Sequence, residues 1–321
     1  MATNQKFLLW SLVIFGVALL SVPYLIPHTG LLMLLALLPL LQINKLAKKY
    51  SAKRVWIYYY TMFFLWNLFT TYWIYKATLP GAIAAVVLNA LQMSLIFGAY
   101  RWFEKRTSKS LSYIFLILAW LAWEHFYFEA EISWPWLTLG NGLATTHKNI
   151  QWYEYTGALG GSLWILLTNV MVFEFTGIIG KLSKLTGFSK GNSHNKTEAK
   201  RRRSGRELAL FLFTLFVIHF PFVYSQIMYR NYKEIVNPKE FVVVQPNIDP
   251  YNDKFGGMSQ NEQDDKLFGI IESAVKPTTN IIVAPETFTS GIIENMPENS
   301  KTIERATEYL KLHPNTSMVF G

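Results

Sequence analysis

Seven long apolar runs occupy the first 225 residues, and they constrain the fold more than any other feature of the chain. A helix needs about 20 apolar residues to cross a bilayer. Five of the runs meet this length, whereas the first and the last are short. The pattern predicts a transmembrane helical domain over residues 1–225. The runs lie at 7–22, 24–43, 56–75, 79–100, 111–128, 158–180 and 208–224.

Positive charge is concentrated in alternate loops between these runs. Residues 1–225 carry 21 Lys and Arg against 8 Asp and Glu, whereas residues 226–321 carry 9 against 13. Basic loops stay in the cytoplasm, so seven spans would begin inside and place everything after Tyr224 outside. The net charge of +9 is therefore assigned to a membrane surface, and no nucleic-acid partner is predicted. The polar, basic stretch 187–206 is predicted to be a flexible cytoplasmic loop.

The pattern changes after the last run to strand, helix, strand, helix and strand, which is typical of an α/β layered domain. The elements are a strand within 241–248, a helix opened by the capping box Ser259–Glu262, a strand at 280–284, a helix from Ser300 or Thr302, and a strand at 317–321. A segment of this size buries a poor core. We therefore expect residues 226–321 to form an incomplete domain that lies outside the cytoplasm.

Glu286 is the sharpest candidate for chemistry. It follows Ile281–Ala284 and Pro285, at the carboxyl end of a predicted strand. Functional groups in α/β sheets gather at such ends. A carboxylate that is partly desolvated there would gain proton affinity and could act as a general base. The alternative is a carboxylate that caps the turn or pairs with a nearby Lys, and the residues alone leave both open.

Several polar side chains lie within the apolar runs, where each is a functional hypothesis because burial in a membrane is unfavourable. They are Asn67, Asn89, Gln92, Glu124, His125, Glu174 and His219. The alternative is a hydrogen bond between helices inside the bundle.

Two aromatic segments, 134–137 and 151–154, flank a loop that is predicted to be extracytoplasmic. They indicate either an aromatic belt at headgroup level or a lip that guides a lipid-borne substrate.

Taken in order, these motifs resemble the apolipoprotein N-acyltransferases over nearly the whole chain. The motifs are Trp123-Glu124 after Trp120, Pro135-Trp136-Leu137, QWYEYTG at 151–157, VVQPNI at 243–248, and Pro285-Glu286. The resemblance implies an α-helical transmembrane bundle followed by the N-terminal part of an α/β nitrilase-like domain, an α-β-β-α sandwich. It also implies a multi-pass protein of the bacterial inner membrane with a cytoplasmic N-terminus.

The activity implied by the resemblance is transfer of an acyl chain from a membrane phospholipid to the N-terminal amine of a diacylglyceryl apolipoprotein. The family uses a Glu–Lys–Cys triad. Glu286 matches its acid, whereas its Lys and Cys lie beyond Gly321. Phe255 matches an aromatic residue near the lipid site. The chain itself contains no cysteine, so we expect a truncated form that is inactive alone. Neither a nucleotide nor a metal cofactor is expected, since no phosphate-binding loop or HExxH motif occurs.

Three other interpretations remain open. The first is a membrane-tethered nitrilase-class amidase or hydrolase that acts on a soluble substrate. The second is a transporter, which would show broken spans in repeated positions, and no such repeat is found in the sequence. The third is an inactive truncated remnant.

Overall fold

The computed structural model describes residues 2–131, 133–186, 195–234, 236–249, 252–254, 256–286, 288–289, 292–293 and 295–321. Within these ranges, the side chains of 178–186, 195–204 and 206–207 are not described. The chain forms two compact units, Met1–Tyr232 and Lys233–Gly321. Each unit has a hydrophobic core of its own.

The first unit is a helical bundle, as the apolar runs predict. Its α-helices are α1 (Thr3–Leu25), α2 (Leu38–Lys49), α3 (Trp56–Thr71), α4 (Leu79–Glu104), α5 (Lys109–Glu129), α6 (Tyr153–Thr186) and α7 (Asn195–Asn231). The 3-10 helices between them are Gly30–Leu35, Tyr72–Lys76, Pro135–Leu137 and Leu139–Asn149. Large aromatic side chains, among them Trp66 and Trp120, are almost completely buried in the core.

Six helices of the described residues are long and apolar enough to cross a membrane, where seven spans were predicted. The run at 56–75 makes the difference, because α3 has only 16 residues and continues as the 3-10 helix Tyr72–Lys76. At about 1.5 Å per α-helical residue and about 2.0 Å per 3-10 residue, the two together extend about 34 Å. This run therefore reaches the thickness of a bilayer only with its 3-10 end.

Two further expectations about the helices need correction. The first and last runs are not short in the structure, since Thr3–Leu25 has 23 residues and Leu208–Asn231 has 24. The predicted flexible loop at 187–206 is helical from Asn195 onward, where α7 begins. Glu, Ala, Lys and Arg in this stretch are good helix formers, which explains why it continues the helix. The rest of that loop, 187–194, lies outside the described residues.

The second unit has the predicted alternation of strands and helices. Its elements are β1 (Glu240–Val243), α8 (Gln260–Ala274), β2 (Thr279–Val283), α9 (Lys301–Leu312) and β3 (Ser317–Val319), with a short 3-10 helix at Pro297–Asn299. The three strands are parallel in the order β1-β2-β3. The capping box is present, because the Ser259 hydroxyl accepts from the Glu262 amide while the Glu262 carboxylate accepts from the Ser259 amide.

One face of this sheet packs against the helices and the other does not. Ile282 and Val244 are buried with Leu267, Phe268 and Ile271 of α8. A buried hydrogen bond of 2.8 Å from the Thr302 hydroxyl to Asp264 joins α9 to α8. On the opposite face, apolar side chains of the strands remain exposed, namely Phe241, Val243 and Val319. The sheet is thus covered by helices on one side only in the described residues.

Candidate functional site

The carboxyl ends of the three parallel strands meet at one edge of the sheet, and Glu286 lies there. The amide of Val244 donates to the Val283 carbonyl at 2.8 Å, and the amide of Ala284 donates to the Val319 carbonyl at 2.9 Å. These bonds extend the ladder just past the strands. Parallel topology therefore places the predicted acid beside the segments that follow β1 and β3, as expected for a site at a strand edge.

The backbone around Glu286 is tightly packed against Gly321. The amides of Phe288 and Thr289 both donate to the Gly321 carbonyl, at 2.8 and 2.9 Å. A Cβ atom at position 321 would come within 1.9 Å of the Glu286 carbonyl oxygen. Only a glycine fits this approach, so the segment after β3 is held directly against the backbone of the candidate acid.

The side chain of Glu286 is exposed, which differs from the partial desolvation expected from the sequence. Within the part of the chain that the structure describes, its carboxylate forms no hydrogen bond or ion pair. The alternative of a carboxylate paired with a Lys is therefore not observed among those residues. What remains is an accessible carboxylate on a fixed backbone.

Asn247 and Lys266 add polar groups near the end of β1, and the sequence interpretation did not single them out. Asn247 is exposed and has a φ of 51°, a left-handed conformation that Asn tolerates better than most residues. The Lys266 ammonium donates to the Asn247 carbonyl at 3.4 Å. The only sequence signal was the Gln-Pro-Asn turn at the end of the strand.

Phe255, the residue matched to the lipid site, lies outside the described residues. The flanking loop is anchored by Gln263 of α8, whose side chain is 3% exposed and therefore buried. Its amide nitrogen donates to the carbonyls of Lys254, at 3.0 Å, and Met258, at 3.2 Å. The loop is thus attached to the helix on both sides of position 255.

Glu124 is buried in the bundle and has a structural partner. Its Oε1 atom accepts from the Trp120 indole at 2.9 Å and from the Leu139 amide at 2.8 Å. The next residue, Gly140, accepts at its carbonyl from the Tyr153 hydroxyl at 2.9 Å. The carboxylate therefore holds the start of the 3-10 helix Leu139–Asn149 against α5. Ser162 of α6 also lies beside it as a side-chain partner, in line with the alternative of a bond between helices.

The remaining intramembrane candidates divide into two groups. The Asn89 amide donates to Asn67 at 2.8 Å, and the Trp123 indole donates to Gln92 at 2.9 Å, so the hydrogen bonds predicted between helices are confirmed there. Among the residues that the structure describes, exposed His219 bonds only within its own helix, to the Leu215 carbonyl, so that prediction is wrong for His219.

Two candidates near the ends of the spans behave differently again. His125 is exposed on the surface of α5, next to the buried Glu124. Glu174 forms an ion pair with Lys109 and accepts from the Tyr113 hydroxyl at 2.7 Å. Glu174 therefore joins α6 to α5.

Asn169 was not among the sequence candidates, although it is completely buried. Its Oδ1 atom accepts from the Leu37 amide at 2.8 Å, and its Nδ2 atom donates to the Met33 carbonyl at 2.9 Å. These backbone groups lie at the break between the 3-10 helix Gly30–Leu35 and α2. Because unsatisfied backbone groups are unfavourable at membrane depth, Asn169 permits the break. A polar residue within the sixth apolar run was the available signal.

The two aromatic segments have different environments. Trp134 and Trp136 form a cluster with Trp73, with ring centroids 5.8 to 6.5 Å apart. Trp152 is instead buried and packs edge-on against Trp164. The environment of the first segment is consistent with both interpretations of the sequence, an aromatic belt or a substrate-guiding lip. Trp152 of the second segment instead belongs to the core of the bundle.

The fold and the site define a multi-pass membrane protein that carries a parallel α/β unit with an accessible carboxylate at its carboxyl edge. Residues 16–171 match the family model of the apolipoprotein N-acyltransferase N-terminal domain. A curated apolipoprotein N-acyltransferase from Chlorobaculum tepidum is 26% identical over 260 residues, which cover 80% of this chain and 44% of the relative. The chain thus spans less than half the length of that relative. These similarities confirm the resemblance found in the sequence, since the chain is similar to the apolipoprotein N-acyltransferases in both comparisons.

Proposed function

We propose that these residues form part of an enzyme that transfers an acyl chain from a phospholipid to the N-terminal amine of a diacylglyceryl apolipoprotein. The observation that carries the proposal is the accessible carboxylate of Glu286 at the edge where three strand ends meet, in a chain whose membrane part matches an N-acyltransferase domain. We propose that the thiol and the lysine of the triad are supplied by residues other than these, because the chain contains no cysteine and the match covers 44% of the curated relative.

The reaction follows a ping-pong route through a thioester. Glu286 removes the proton from the thiol, and the thiolate attacks the phospholipid ester carbonyl. The ester C–O bond breaks, and the lysophospholipid leaves with the proton that Glu286 returns. The lipoprotein amine then attacks the thioester carbonyl. Glu286 accepts the amine proton and transfers it to the departing thiolate, which restores the thiol. The lysine stabilises both tetrahedral oxyanions.

Accessibility of Glu286 suits this route, because the acid must contact first a thiol and then an amine. In the proposed topology, the N-terminus is cytoplasmic and the α/β unit lies on the outer side of the bacterial inner membrane. Both substrates are anchored in the outer leaflet of that membrane. Phe255 is proposed to contact lipid near the acid, on the loop that Gln263 anchors at Lys254 and Met258.

The test is Glu286→Gln in the full-length enzyme, reconstituted in proteoliposomes that contain a phospholipid with a labelled acyl chain. General bases contribute about 10² to 10⁴ in rate. We expect the labelled thioester to form more slowly by at least about 10²-fold, without a change in thermal stability, because the side chain is exposed. Glu298→Gln, which changes another exposed carboxylate of the same unit, is the matched control and should acylate at the normal rate.

A normal acylation rate in Glu286→Gln would overturn the role of Glu286. A second arm offers short soluble amides to the wild-type enzyme. Turnover of amides together with failure to acylate a lipopeptide would instead establish the membrane-tethered amidase.

A further inference from the structure

A basic and aromatic cavity lies between the N-terminal end of α3 and the C-terminal end of α4. It has a volume of about 530 Å³. Four cationic side chains and two indoles are among its lining residues, namely Arg54, Arg101, Lys105, Arg106, Trp56 and Trp102. No carboxylate is among the described residues that line it. The cavity therefore collects positive charge that the bundle does not neutralise locally.

The nearest acid in α4 is already engaged. Glu104 forms an ion pair of 2.6 Å with Lys48 and accepts from the Asn44 amide at 2.7 Å. The described ion pairs of the chain leave Arg101 unpaired with any carboxylate, and its Nε atom is buried without a hydrogen-bond partner. A buried donor without an acceptor is uncommon in folded proteins. Arg101 thus brings to the cavity a positive charge that the described carboxylates do not neutralise, and the Tyr59 hydroxyl is its polar neighbour there.

The two indoles indicate how deep the cavity lies in the membrane. Trp56 is 54% exposed and Trp102 is 55% exposed. Exposed Trp side chains prefer the headgroup level of a bilayer. The Arg106 guanidinium lies 4.2 Å from the centroid of the Trp102 ring and donates to the Trp102 carbonyl at 3.1 Å. These contacts hold the cation in place at the depth where the anions are lipid phosphates.

The backbone at the rim is held in an uncommon conformation. Arg54 has a φ of 52°, in the left-handed region that glycine adopts more easily. Non-glycine residues in this region cluster at functional sites. Just beyond it, α3 begins without a side-chain cap. The amides of Ile57 and Tyr58 donate to the Arg54 and Val55 carbonyls, and the helix dipole adds positive potential to the same rim. Glycine would suit this backbone better, so we attribute the presence of Arg54 to the charge of its side chain, which lines the cavity.

We propose that this cavity binds the phosphate of an anionic phospholipid headgroup. Guanidinium groups pair with phosphate oxygens in a bidentate manner, and the lysine contributes a point charge. A zwitterionic lipid such as phosphatidylcholine would bind less well, because its ammonium group would meet the four cations of the cavity. The site is built only from residues of the helical unit, and it does not depend on the acyl transfer proposed above.

The experiment measures lipid binding by the purified chain in detergent, as adducts in native mass spectrometry and as shifts in the thermal midpoint. The probes are a short-chain phosphatidylglycerol, a short-chain phosphatidylcholine and inorganic phosphate. Each basic side chain near an anionic lipid contributes enough for about a fivefold change in affinity. We expect about fivefold weaker phosphatidylglycerol binding in Arg54→Gly and in Arg101→Gln, and about 25-fold in the double variant.

Two controls separate the site from general charge and from misfolding. Lys53→Gln removes one charge from an exposed neighbour that does not line the cavity and should leave affinity unchanged. Arg54→Gly relieves the left-handed backbone, so it should not lower the thermal midpoint without lipid. Equal losses in Lys53→Gln, equal affinity for phosphatidylcholine, or equal stabilisation by inorganic phosphate would each overturn the lipid site.

Discussion

Glu124 of the bundle and Glu286 of the α/β unit lie in opposite environments. In the bundle, Glu124 is 2% exposed and accepts two hydrogen bonds, and Glu104 and Glu174 are held by lysines. In the α/β unit, Glu286 is exposed and its carboxylate has no partner among the described residues. Unsatisfied polar groups are unfavourable in a membrane interior. These three acids of the bundle therefore take part in its packing, although the Oε2 atom of Glu124 has no hydrogen-bond partner among the described residues. The strand edge leaves its acid accessible for chemistry.

Substitution of Asn169 tests this difference between the units and has the largest expected effect on the free energy of unfolding. Asn169→Leu keeps the size of the side chain but leaves the Leu37 amide without its acceptor. The Met33 carbonyl loses one of two donors, since it still accepts from the Ala36 amide at 3.2 Å. Each unsatisfied buried group lowers the free energy of unfolding by about 1–3 kcal/mol. We expect a total loss of about 1–3 kcal/mol, set mainly by the Leu37 amide, and measured by unfolding in mixed denaturing micelles.

The matched control is Asn299→Leu in the α/β unit. Asn299 is exposed, and its side chain reaches only the Met296 sulfur, at 3.6 Å. The free energy of unfolding should change by no more than about 0.5 kcal/mol, as is usual for exposed positions. Similar losses of unfolding free energy in Asn169→Leu and Asn299→Leu would contradict the prediction. They would show that burial does not determine how much a polar side chain contributes to stability.

Asn169 is also an example of a structural feature that the sequence did not allow us to predict. Apolar runs predicted the helices, because length and hydropathy act through a local rule. The break at 36–37 could not be predicted in the same way, since it depends on a side chain that is 132 residues away in the sequence. The same holds for Glu124, whose acceptor role depends on the fold of the loop at Leu139.

In the α/β unit, local signals were sufficient for most elements. The capping box at Ser259 and the apolar strand before Pro285 gave the helix start and the strand end within a residue. The position of Glu286 at the sheet edge followed from parallel topology. Its exposure did not follow, because desolvation depends on which segments cover that edge.

Two glycines provide a second test of the difference between the units, with an expected effect of intermediate size on stability. A Cβ atom at Gly140 would meet the Ala158 carbonyl oxygen at 2.0 Å, whereas a Cβ atom at Gly269 in α8 meets nothing within 4 Å. We expect Gly140→Ala to lower the free energy of unfolding by about 1–3 kcal/mol, as overpacking does. Gly269→Ala should raise it by up to about 1 kcal/mol, because alanine favours the helix.

Thermal and denaturant unfolding of the two glycine variants in detergent would measure both effects. The sign is the informative result. A stable Gly140→Ala variant would mean that the 3-10 helix Leu139–Asn149 can move away from α6, and the tight packing inferred for the bundle would then be wrong.

The smallest effect concerns Glu262, an exposed acid that is used for structure within the α/β unit. Hydrogen bonds from the Ser259 amide and hydroxyl lower the pKa of Glu262. Because the folded pKa lies below the unfolded one, the carboxylate stabilises α8 at neutral pH. That contribution is lost as the pH falls through the lowered pKa. Acidification should therefore loosen the first turn of α8.

Glu262→Gln removes this titration and retains a side-chain acceptor for the capping box. Hydrogen exchange at the first amides of α8 should be slower in the wild type than in the variant at neutral pH, and equal in both below the folded pKa. Parallel pH profiles in the two proteins would contradict the prediction. That result would also show that the exposed carboxylate of Glu262 contributes nothing to the stability of α8.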